Sequence, residues 1–346
     1  MKERRRLMVS FLCFYKALMK KIVYWLRNAR IVALPQSILP SAVAFCLATN
    51  CDGFSVWLGI VSILGVMAAH LAVNLFDDYF DYVNSGGKSR EQMAGEGNMV
   101  RVAKSPYLYS GEVTPKKLFG VASIFSAIAL AFGLVVFAQR GFIPLLIAVA
   151  AGFLGFFYSA KPIQFCYRGL GELVTGVIFG PMLMSGVYYS AAGTFSAEIW
   201  PVSAVVGILV TNILFTHSVM DSSPDTMVGK KTLAGVLKSN RMNLTASAIF
   251  NFLPYIIIVV ASACGTLPWK YLITLIALPR SIYLFYLLYE FIYHPERQFG
   301  KKWWLGPMEN WDSVEENNMQ WFALRWYLSR NILQLFCIML VVCTLL

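Results

Sequence analysis

The chain has 346 residues, of which 58% are hydrophobic and only 14% are charged, and its mean hydropathy is +0.61. Soluble globular domains carry about 25% charged residues, so this composition excludes an ordinary soluble enzyme. The formal net charge of +11 is compatible with nucleic acid, a membrane surface or an anionic substrate as a partner. The seven cysteines are scattered and lack the spacing of a zinc site or a disulfide framework.

Nine apolar blocks follow a basic N-terminal arm, and each has about the length of a helix that spans a bilayer. The arm covers residues 1–30 and contains an amphipathic segment, 11–26, that we expect to lie on the membrane surface. The predicted spans are 31–49, 54–76, 118–138, 142–159, 170–190, 200–220, 244–264, 269–291 and 331–346. Because the blocks do not alternate polar and apolar residues, the sequence predicts an all-α polytopic membrane protein and not a β-barrel.

Basic residues concentrate in alternate connections between these blocks. If the N-terminus is cytoplasmic, 26 of the 29 Lys and Arg residues lie in cytoplasmic segments, and only Arg140 and Lys270 lie in or beside outside loops. The positive-inside rule therefore predicts a cytoplasmic N-terminus and an outside C-terminus in the plasma (inner) membrane. Topology explains the net charge without nucleic acid. The long polar segments are all cytoplasmic, which predicts an active-site cavity facing the cytoplasm.

Three carboxylates stand at the end of the second apolar block. Asn74, Asp77, Asp78 and Asp81 follow the spacing i, i+3, i+4 and i+7, which places them on one face of a helix. Acids at the edge of a membrane cost several kcal/mol unless they are compensated. The spacing therefore predicts a cation beside them.

A second acidic pair follows the sixth apolar block. Asp221 and Asp225 are four residues apart, and Lys230, Lys231 and Thr232 come shortly after them. Carboxylates suit Mg²⁺, which shares its remaining positions with phosphate oxygens. The lysines and the hydroxyl supply positive charge and donors for a phosphate group. Two such clusters in one chain favour a diphosphate held through Mg²⁺ over solvated loop charges.

These motifs resemble those of the UbiA superfamily of intramembrane prenyltransferases, and within it the 1,4-dihydroxy-2-naphthoate polyprenyltransferases. Residues 77–81 are similar to that group's Asn-Asp-Tyr-x-Asp, and residues 221–234 to its Asp-x-x-x-Asp followed by Gly-Lys-x-Thr-Leu-Ala. The stretches 158–172 and 179–181 are similar to ones typical of the naphthoate branch. The family's first Asn corresponds here to Asp77, and its further acidic position is Ser85; Asn74 is a candidate to supply the missing amide.

The resemblance implies a nine-span bundle that transfers a polyprenyl chain from an allylic polyprenyl diphosphate to an aromatic acceptor. In the naphthoate branch the acceptor is 1,4-dihydroxy-2-naphthoate, CO₂ is lost, and the product is demethylmenaquinone. Two Mg²⁺ ions assist ionisation of the diphosphate. The expected metal ligands and catalytic residues are Asp77, Asp78, Asp81, Asp221 and Asp225. The expected substrate-binding residues are Asn74, Tyr158, Lys161, Lys230, Lys231 and Thr232.

Two alternatives remain open at this point. Other members of the superfamily act on acceptors such as hydroxybenzoate, homogentisate, haem or a sugar phosphate. An ion-coupled transporter also uses intramembrane acids, although those lie near the midplane and these lie at one face beside lysines. Among single residues, Glu172 is expected either to bind the acceptor or to pair with Arg168. Arg280, inside the eighth block, is expected to reach a substrate carboxylate or an acidic side chain.

The predicted organisation has three parts. Residues 1–30 form the basic amphipathic arm, residues 31–291 form an eight-span prenyltransferase bundle, and residues 292–346 form an aromatic-rich cytoplasmic loop followed by the ninth span.

Overall fold

A computed structural model describes residues 15–16, 18–87, 105–221 and 231–345, and these residues fold into helices without any β-strand. Eight helical segments are long and apolar enough to cross a membrane, where a helix satisfies its own backbone hydrogen bonds. The eight long segments are α1 (Ile31–Ala48), α2 (Val56–Asn84), α3 (Pro115–Arg140), α5 (Gly171–Ala192), α6 (Ile199–Met220), α7 (Asn240–Ala263), α8 (Trp269–Tyr293) and α9 (Gln320–Leu345). The shorter apolar helix Phe142–Phe156 is numbered α4. The chain is a multi-pass membrane protein, and each predicted block contains a helix.

Helix α6 is the most buried of the spans and packs against α5, α7 and α9. Glycines allow α5 and α6 to approach closely. A Cβ on Gly180 would lie 2.5 Å from the Gly207 Cα atom, and one on Gly207 would lie 2.7 Å from the Gly176 carbonyl oxygen. Pro181 lies within the π-helical turn Ile178–Met182 of α5, where the regular helical hydrogen bonding is already interrupted. This contact fixes the first half of α5 against the middle of α6.

Helix α2 extends further than predicted. It ends at Asn84 and not at residue 76, so the three acids of the first motif lie on its last turns and not in a loop. The helix stops before Gly86 and Gly87, whose φ angles of 62° and 79° lie in the left-handed region that ends helices. The ring of Phe80 lies 5.1 Å from that of Phe156, which holds this end of α2 against α4.

Helix α9 begins earlier than predicted, at Gln320 and not at residue 331. Arg325 lies within the stretch that the sequence predicts as a cytoplasmic loop. In the structure Arg325 is buried, and its Nε atom donates a 2.9 Å hydrogen bond to the carbonyl of Leu287 on α8. A buried charge that finds such partners is compatible with a helix interior.

The connection between α8 and α9 packs against both helices. Arg280 donates from Nε to the carbonyl oxygen of Trp304 at 2.8 Å. Asn331 on α9 donates to the carbonyl of Leu305, a fully buried residue, at 3.0 Å. The observed partner of Arg280 is therefore a backbone carbonyl and not the acidic side chain that the sequence suggested.

The described part of the N-terminal arm is helical over 18–28. Its apolar side chains Leu18, Ile22 and Val23 are 43%, 42% and 57% exposed. Exposed apolar groups on a basic helix are typical of a helix lying on a membrane surface. Phe11 and Phe14 of the predicted amphipathic segment lie outside the described residues.

Candidate active site

Asp78 carries the most enclosed carboxylate at the end of α2. It is fully buried, its Oδ1 atom pairs with the Arg30 guanidinium, and its Oδ2 atom accepts a 2.8 Å hydrogen bond from the Tyr107 hydroxyl. Arg30 also lies 3.9 Å from the Oδ2 atom of Asp77. Proteins tolerate a buried carboxylate when it is paired and hydrogen-bonded. The chain itself therefore supplies one compensating cation for this acidic motif.

The surroundings of Asp78 keep both of its partners protonated. Burial alone lowers the pKa of the Arg30 guanidinium, but the negative charges of Asp78 and Asp77 more than offset this, and its pKa lies above its ordinary value. Burial and the adjacent Asp78 carboxylate raise the pKa of the Tyr107 phenol. Arg30 therefore stays charged, and Tyr107 stays a hydrogen-bond donor.

Asp77 and Asp81 contact a different part of the molecule, the α4–α5 connection (residues 157–170). The Ser159 hydroxyl donates to Asp77 Oδ1 at 2.5 Å, and the Tyr167 hydroxyl donates to Asp81 Oδ1 at 3.0 Å. The predicted acidic face therefore contacts two parts of the chain. Asp78 contacts the end of the N-terminal arm, Asp81 contacts the α4–α5 connection, and Asp77 lies near both.

The α4–α5 connection and the first turn of α5 also reach the segment that follows the second acidic motif. The buried Glu172 side chain accepts a 3.0 Å hydrogen bond from the backbone N–H of Leu233. Gly169 has a φ of 77°, and a Cβ there would overlap the Val236 side chain and lie 3.7 Å from the Lys231 carbonyl oxygen. One short stretch of chain thus contacts both the first acidic motif and the segment that follows the second. The sequence offered Arg168 as a partner for Glu172. In the structure the Glu172 carboxylate accepts from a backbone N–H, and Arg168 donates to the Pro162 carbonyl at 2.9 Å.

Asp221 lies at the C-terminal end of α6, where its backbone N–H donates to the His217 carbonyl at 2.8 Å. The residue is only 4% exposed. The His217 ring lies 5.3 Å from Phe322 and 5.8 Å from Trp326 on α9. Asp225 and Lys230, which belong to the same sequence motif as Asp221, lie outside the described residues.

Two of the predicted substrate-binding residues serve the local fold. The Asn74 amide donates to the Ala29 carbonyl at 3.0 Å and so fastens the N-terminal arm to α2. The Thr232 hydroxyl accepts from the Gly235 N–H at 3.4 Å and caps the short helix Leu233–Leu237, as N-cap hydroxyls do.

The remaining described candidates lie in the α4–α5 connection and directly after the second motif. Lys161 is exposed and lies in the α4–α5 connection, and Lys231 is exposed directly before the Thr232 cap. Tyr158 is half-buried, and a Cβ on Gly171 would lie 3.2 Å from its ring. A side chain at position 171 would therefore crowd the ring of Tyr158.

The groups that contact the first acidic motif are not predictable from the sequence. Arg30 is one of nine basic residues in the arm, and no motif includes Tyr107. Ser159 and Tyr167 lay within the stretch whose resemblance was noted, and their hydroxyl groups were the available signal. All four were missed because the contacts join distant parts of the chain.

Carboxylates are donors that suit a divalent cation. Among the residues that the structure describes, no three His, Cys, Asp or Glu side chains surround a common metal position. Asp77 and Asp81 each accept a hydrogen bond from a neutral hydroxyl, an interaction that commonly orients metal-binding carboxylates. Both oxygens of Asp78 instead accept from Arg30 and Tyr107.

Comparison with known proteins agrees with this arrangement. A model of the UbiA prenyltransferase family matches residues 37–306. The chain is 29% identical over 273 residues to 2-carboxy-1,4-naphthoquinone phytyltransferase of Synechocystis, covering 77% of this chain and 81% of that protein. It is 24% identical over 253 residues to 1,4-dihydroxy-2-naphthoate octaprenyltransferase of Bacillus subtilis, covering 72% of this chain and 78% of the relative.

Solved structures share the fold. A UbiA homologue from Archaeoglobus fulgidus, bound to DMAPP and Mg²⁺, superposes with a TM-score of 0.56 at 17% identity, covering 89% of this chain and 98% of the other. A digeranylgeranylglyceryl phosphate synthase superposes with a TM-score of 0.60 at 15% identity, covering 94% and 99%. The family match spans most of the chain. The chain therefore belongs to the UbiA prenyltransferase family and is a prenyltransferase, which decides against the ion-coupled transporter.

Proposed function

We propose that this prenyltransferase transfers a polyprenyl chain from an allylic polyprenyl diphosphate to 1,4-dihydroxy-2-naphthoate, with loss of the acceptor's carboxyl group as CO₂. Support comes from two curated relatives, one named as a naphthoquinone phytyltransferase and the other as a dihydroxynaphthoate octaprenyltransferase. The motif stretches 158–172 and 179–181 favour the same acceptor. Hydroxybenzoate, homogentisate, haem and sugar phosphates are the other acceptor classes to be tested.

The reaction breaks one C–O bond and one C–C bond and forms one new C–C bond. The allylic C–O bond breaks and the diphosphate leaves with the electron pair. The electron-rich ring then attacks the allylic carbon through its carboxyl-bearing position. The carboxylate leaves as CO₂, and its bonding electrons restore the aromatic ring. The immediate product is a prenylated dihydroxynaphthalene, the quinol form of demethylmenaquinone.

We propose Mg²⁺ as the cofactor, with two ions held between the motifs. In the proposed set, Asp77 and Asp81 bind from α2, and Asp221 and Asp225 bind from the end of α6 and the segment after it. When bound, Mg²⁺ supplies positive charge that stabilises the departing diphosphate. The Archaeoglobus homologue bound to DMAPP and Mg²⁺ supports this choice of metal. Asp78 acts as a positioning residue in this proposal, since Arg30 and Tyr107 occupy both of its oxygens.

We assign contacts with the diphosphate to Lys161, Lys230, Lys231 and Thr232, with Tyr158 beside them. Ammonium groups attract the phosphate oxygens that the metal leaves unbound. Lys161 and Lys231 are exposed; Lys161 comes two residues after Ser159, which contacts Asp77, and Lys231 follows the second motif. Asn74 holds the arm.

One observation carries the proposal: the α4–α5 connection and the first turn of α5 are hydrogen-bonded to the first acidic motif and to the segment that follows the second. Ser159 contacts Asp77 at 2.5 Å, and Glu172 contacts Leu233 at 3.0 Å. This shared support favours two motifs that grip one diphosphate from two sides. From the charge distribution we infer that this end of the bundle lies at the cytoplasmic face of the inner membrane.

Product analysis tests the proposal directly. The protein in lipid is incubated with Mg²⁺, geranylgeranyl diphosphate and one acceptor at a time: dihydroxynaphthoate, hydroxybenzoate or homogentisate. We expect mass spectrometry to detect a prenylated product only with dihydroxynaphthoate, lighter by CO₂ than simple addition predicts, and absent when EDTA is added. A product with another acceptor would overturn the assignment of dihydroxynaphthoate as acceptor. A product that still forms in the presence of EDTA would overturn the assignment of Mg²⁺ as cofactor.

A further inference from the structure

A groove of about 420 Å³ lies between α7 and α8, and none of the residues that line it belongs to the acidic motifs. Its walls are Arg241, Leu244 and Ala248 on α7 and Phe285, Tyr289 and Tyr293 on α8. The two sets repeat every three or four residues, so each forms a row along one side of its helix. The volume lies within the roughly 300–1,000 Å³ typical of ligand pockets.

The groove opens toward the surroundings of the bundle and not toward its core. Tyr289 and Tyr293 are 40% and 45% exposed, and Ile249 and Ile282, on the same two helices, are 49% and 51% exposed. Large apolar side chains on the outside of membrane spans face lipid. The medium that reaches this groove is therefore the hydrocarbon of the bilayer.

The groove runs along part of one leaflet. Its polar end is Arg241 in the first turn of α7, and its inner end is lined by Ala248 and Phe285. At about 1.5 Å per helical residue, the distance from residue 241 to residue 248 is roughly 10 Å. Half of the ~30 Å hydrocarbon core is about 15 Å. A groove of this length accommodates the part of one acyl chain that lies nearest the headgroup.

The polar end of the groove carries one positive charge. Within the described part of the chain, Arg241 forms no ion pair. Glu290, the acid next to Tyr289, is buried and pairs with Arg297 at 2.9 Å, and Glu296 lies 3.8 Å from His294. The N-terminal end of α7 adds partial positive charge of the same sign.

We propose that this groove binds an anionic phospholipid, with its phosphate group at Arg241 and one acyl chain between α7 and α8. One guanidinium matches the single negative charge of a phosphodiester, whereas a polyprenyl diphosphate carries more negative charge and calls for further cations. The tyrosine rings at Tyr289 and Tyr293 lie at the depth of the headgroups, where amphipathic aromatic side chains are favoured. The inference does not depend on the identity of the acceptor.

Lipid titrations of the purified full chain test this site by native mass spectrometry. The probes are phosphatidylglycerol and phosphatidylcholine with identical acyl chains. We expect phosphatidylglycerol to bind more tightly and Arg241→Gln to weaken its binding about five-fold, the factor that corresponds to ~1 kcal/mol per basic residue at a membrane surface. Phosphatidylcholine binding should change less, because its choline group already neutralises the charge of its phosphate. Lys117→Gln, an exposed lysine in the first turn of α3, is the matched control and should retain the preference.

A second variant, Ala248→Phe, fills the groove and should weaken binding of both lipids. If this variant does not fold, the titration of Arg241→Gln with the two lipids tests the proposal by itself. Equal affinity for the two lipids, or unchanged phosphatidylglycerol binding in Arg241→Gln, would overturn the proposal. Displacement of the lipid by geranylgeranyl diphosphate in an Arg241-dependent manner would also overturn it, since the groove would then hold the prenyl donor.

Discussion

Arg30 and Asp78, 48 positions apart in the sequence, form an ion pair that joins the N-terminal arm to the end of α2. The Asp78 side chain is 1% exposed and the Arg30 side chain is 30% exposed. Asp78 is thus held by the arm, whereas Asp81 is hydrogen-bonded to the α4–α5 connection, and Asp77 contacts both Arg30 and Ser159. Residues of one short motif thus have different roles.

Replacement of Arg30 by Ala should destabilise the protein. Removing one partner of a buried pair leaves an uncompensated charge and costs about 3 kcal/mol. We expect a lower midpoint of thermal unfolding in detergent. Arg27→Ala is the control, since Arg27 is exposed in the same arm. The double variant Arg30→Ala/Asp78→Asn should recover part of the loss, and a midpoint equal to that of the unaltered protein in Arg30→Ala would show that the pair does not stabilise the fold.

Tyr107→Phe should remove a pH-dependent contribution to stability. The folded-state pKa of Tyr107 is raised, so its contribution is complete below the unfolded pKa of about 10 and is lost as the pH rises above that value. Below pH 10, loss of a hydrogen bond to a charged group should cost about 1.5–3 kcal/mol. Thermal unfolding from pH 7 to 11 should show the difference from the unaltered protein shrinking above pH 10. Tyr15→Phe, at a 51% exposed position, should show no such trend.

Asp81→Asn and Asp221→Asn should each reduce turnover by about 100-fold or more, because each removes a charged ligand from the proposed metal site. Asp225→Ala should do the same while leaving folding intact. Donor binding measured by calorimetry with and without Mg²⁺ should lose its metal dependence in these variants. Asp312→Asn, an exposed acid outside the site, is the control. Normal activity in both the Asp221 and Asp225 variants would refute the metal-diphosphate assignment.

Glu172→Ala should loosen the segment that follows the second acidic motif, because the Leu233 N–H loses its acceptor. Glu172→Gln keeps an acceptor oxygen and should be milder. Hydrogen exchange of residues 231–237 should accelerate about ten-fold in Glu172→Ala, the factor that corresponds to a hydrogen bond of about 1.4 kcal/mol. An unchanged exchange rate with reduced turnover would assign Glu172 to direct contact with the acceptor instead.

Gly180→Ala should destabilise the contact between α5 and α6. The added methyl group would lie 2.5 Å from both Gly207 Cα and the Ser203 carbonyl oxygen, and such overpacking costs about 1–3 kcal/mol. Gly133→Ala on α3 is the matched control because no atom lies within 4 Å of its Cβ position. A similar unfolding midpoint for the two variants would show that the helices move apart at little cost.

The amino-acid sequence by itself determined the class of protein, the approximate positions of the spans and the two acidic motifs. Apolar blocks of bilayer length and lysines on alternate connections are local properties, and they do not depend on how the helices pack. The limits of the helices were predicted less well. Helix α2 runs on to Asn84 and α9 starts at Gln320, since charged residues such as Arg325 find partners on neighbouring helices.

Only the tertiary structure decided which acid contacts which partner. A helical repeat places Asp77, Asp78 and Asp81 near one another, but it does not identify the segments that pack beside them. Arg30, Tyr107, Ser159 and Tyr167 come from three separate parts of the chain, and no local pattern relates them to α2. The groove between α7 and α8 exists for the same reason: it requires two rows of side chains from antiparallel helices to face each other, and each row alone is an ordinary helix surface.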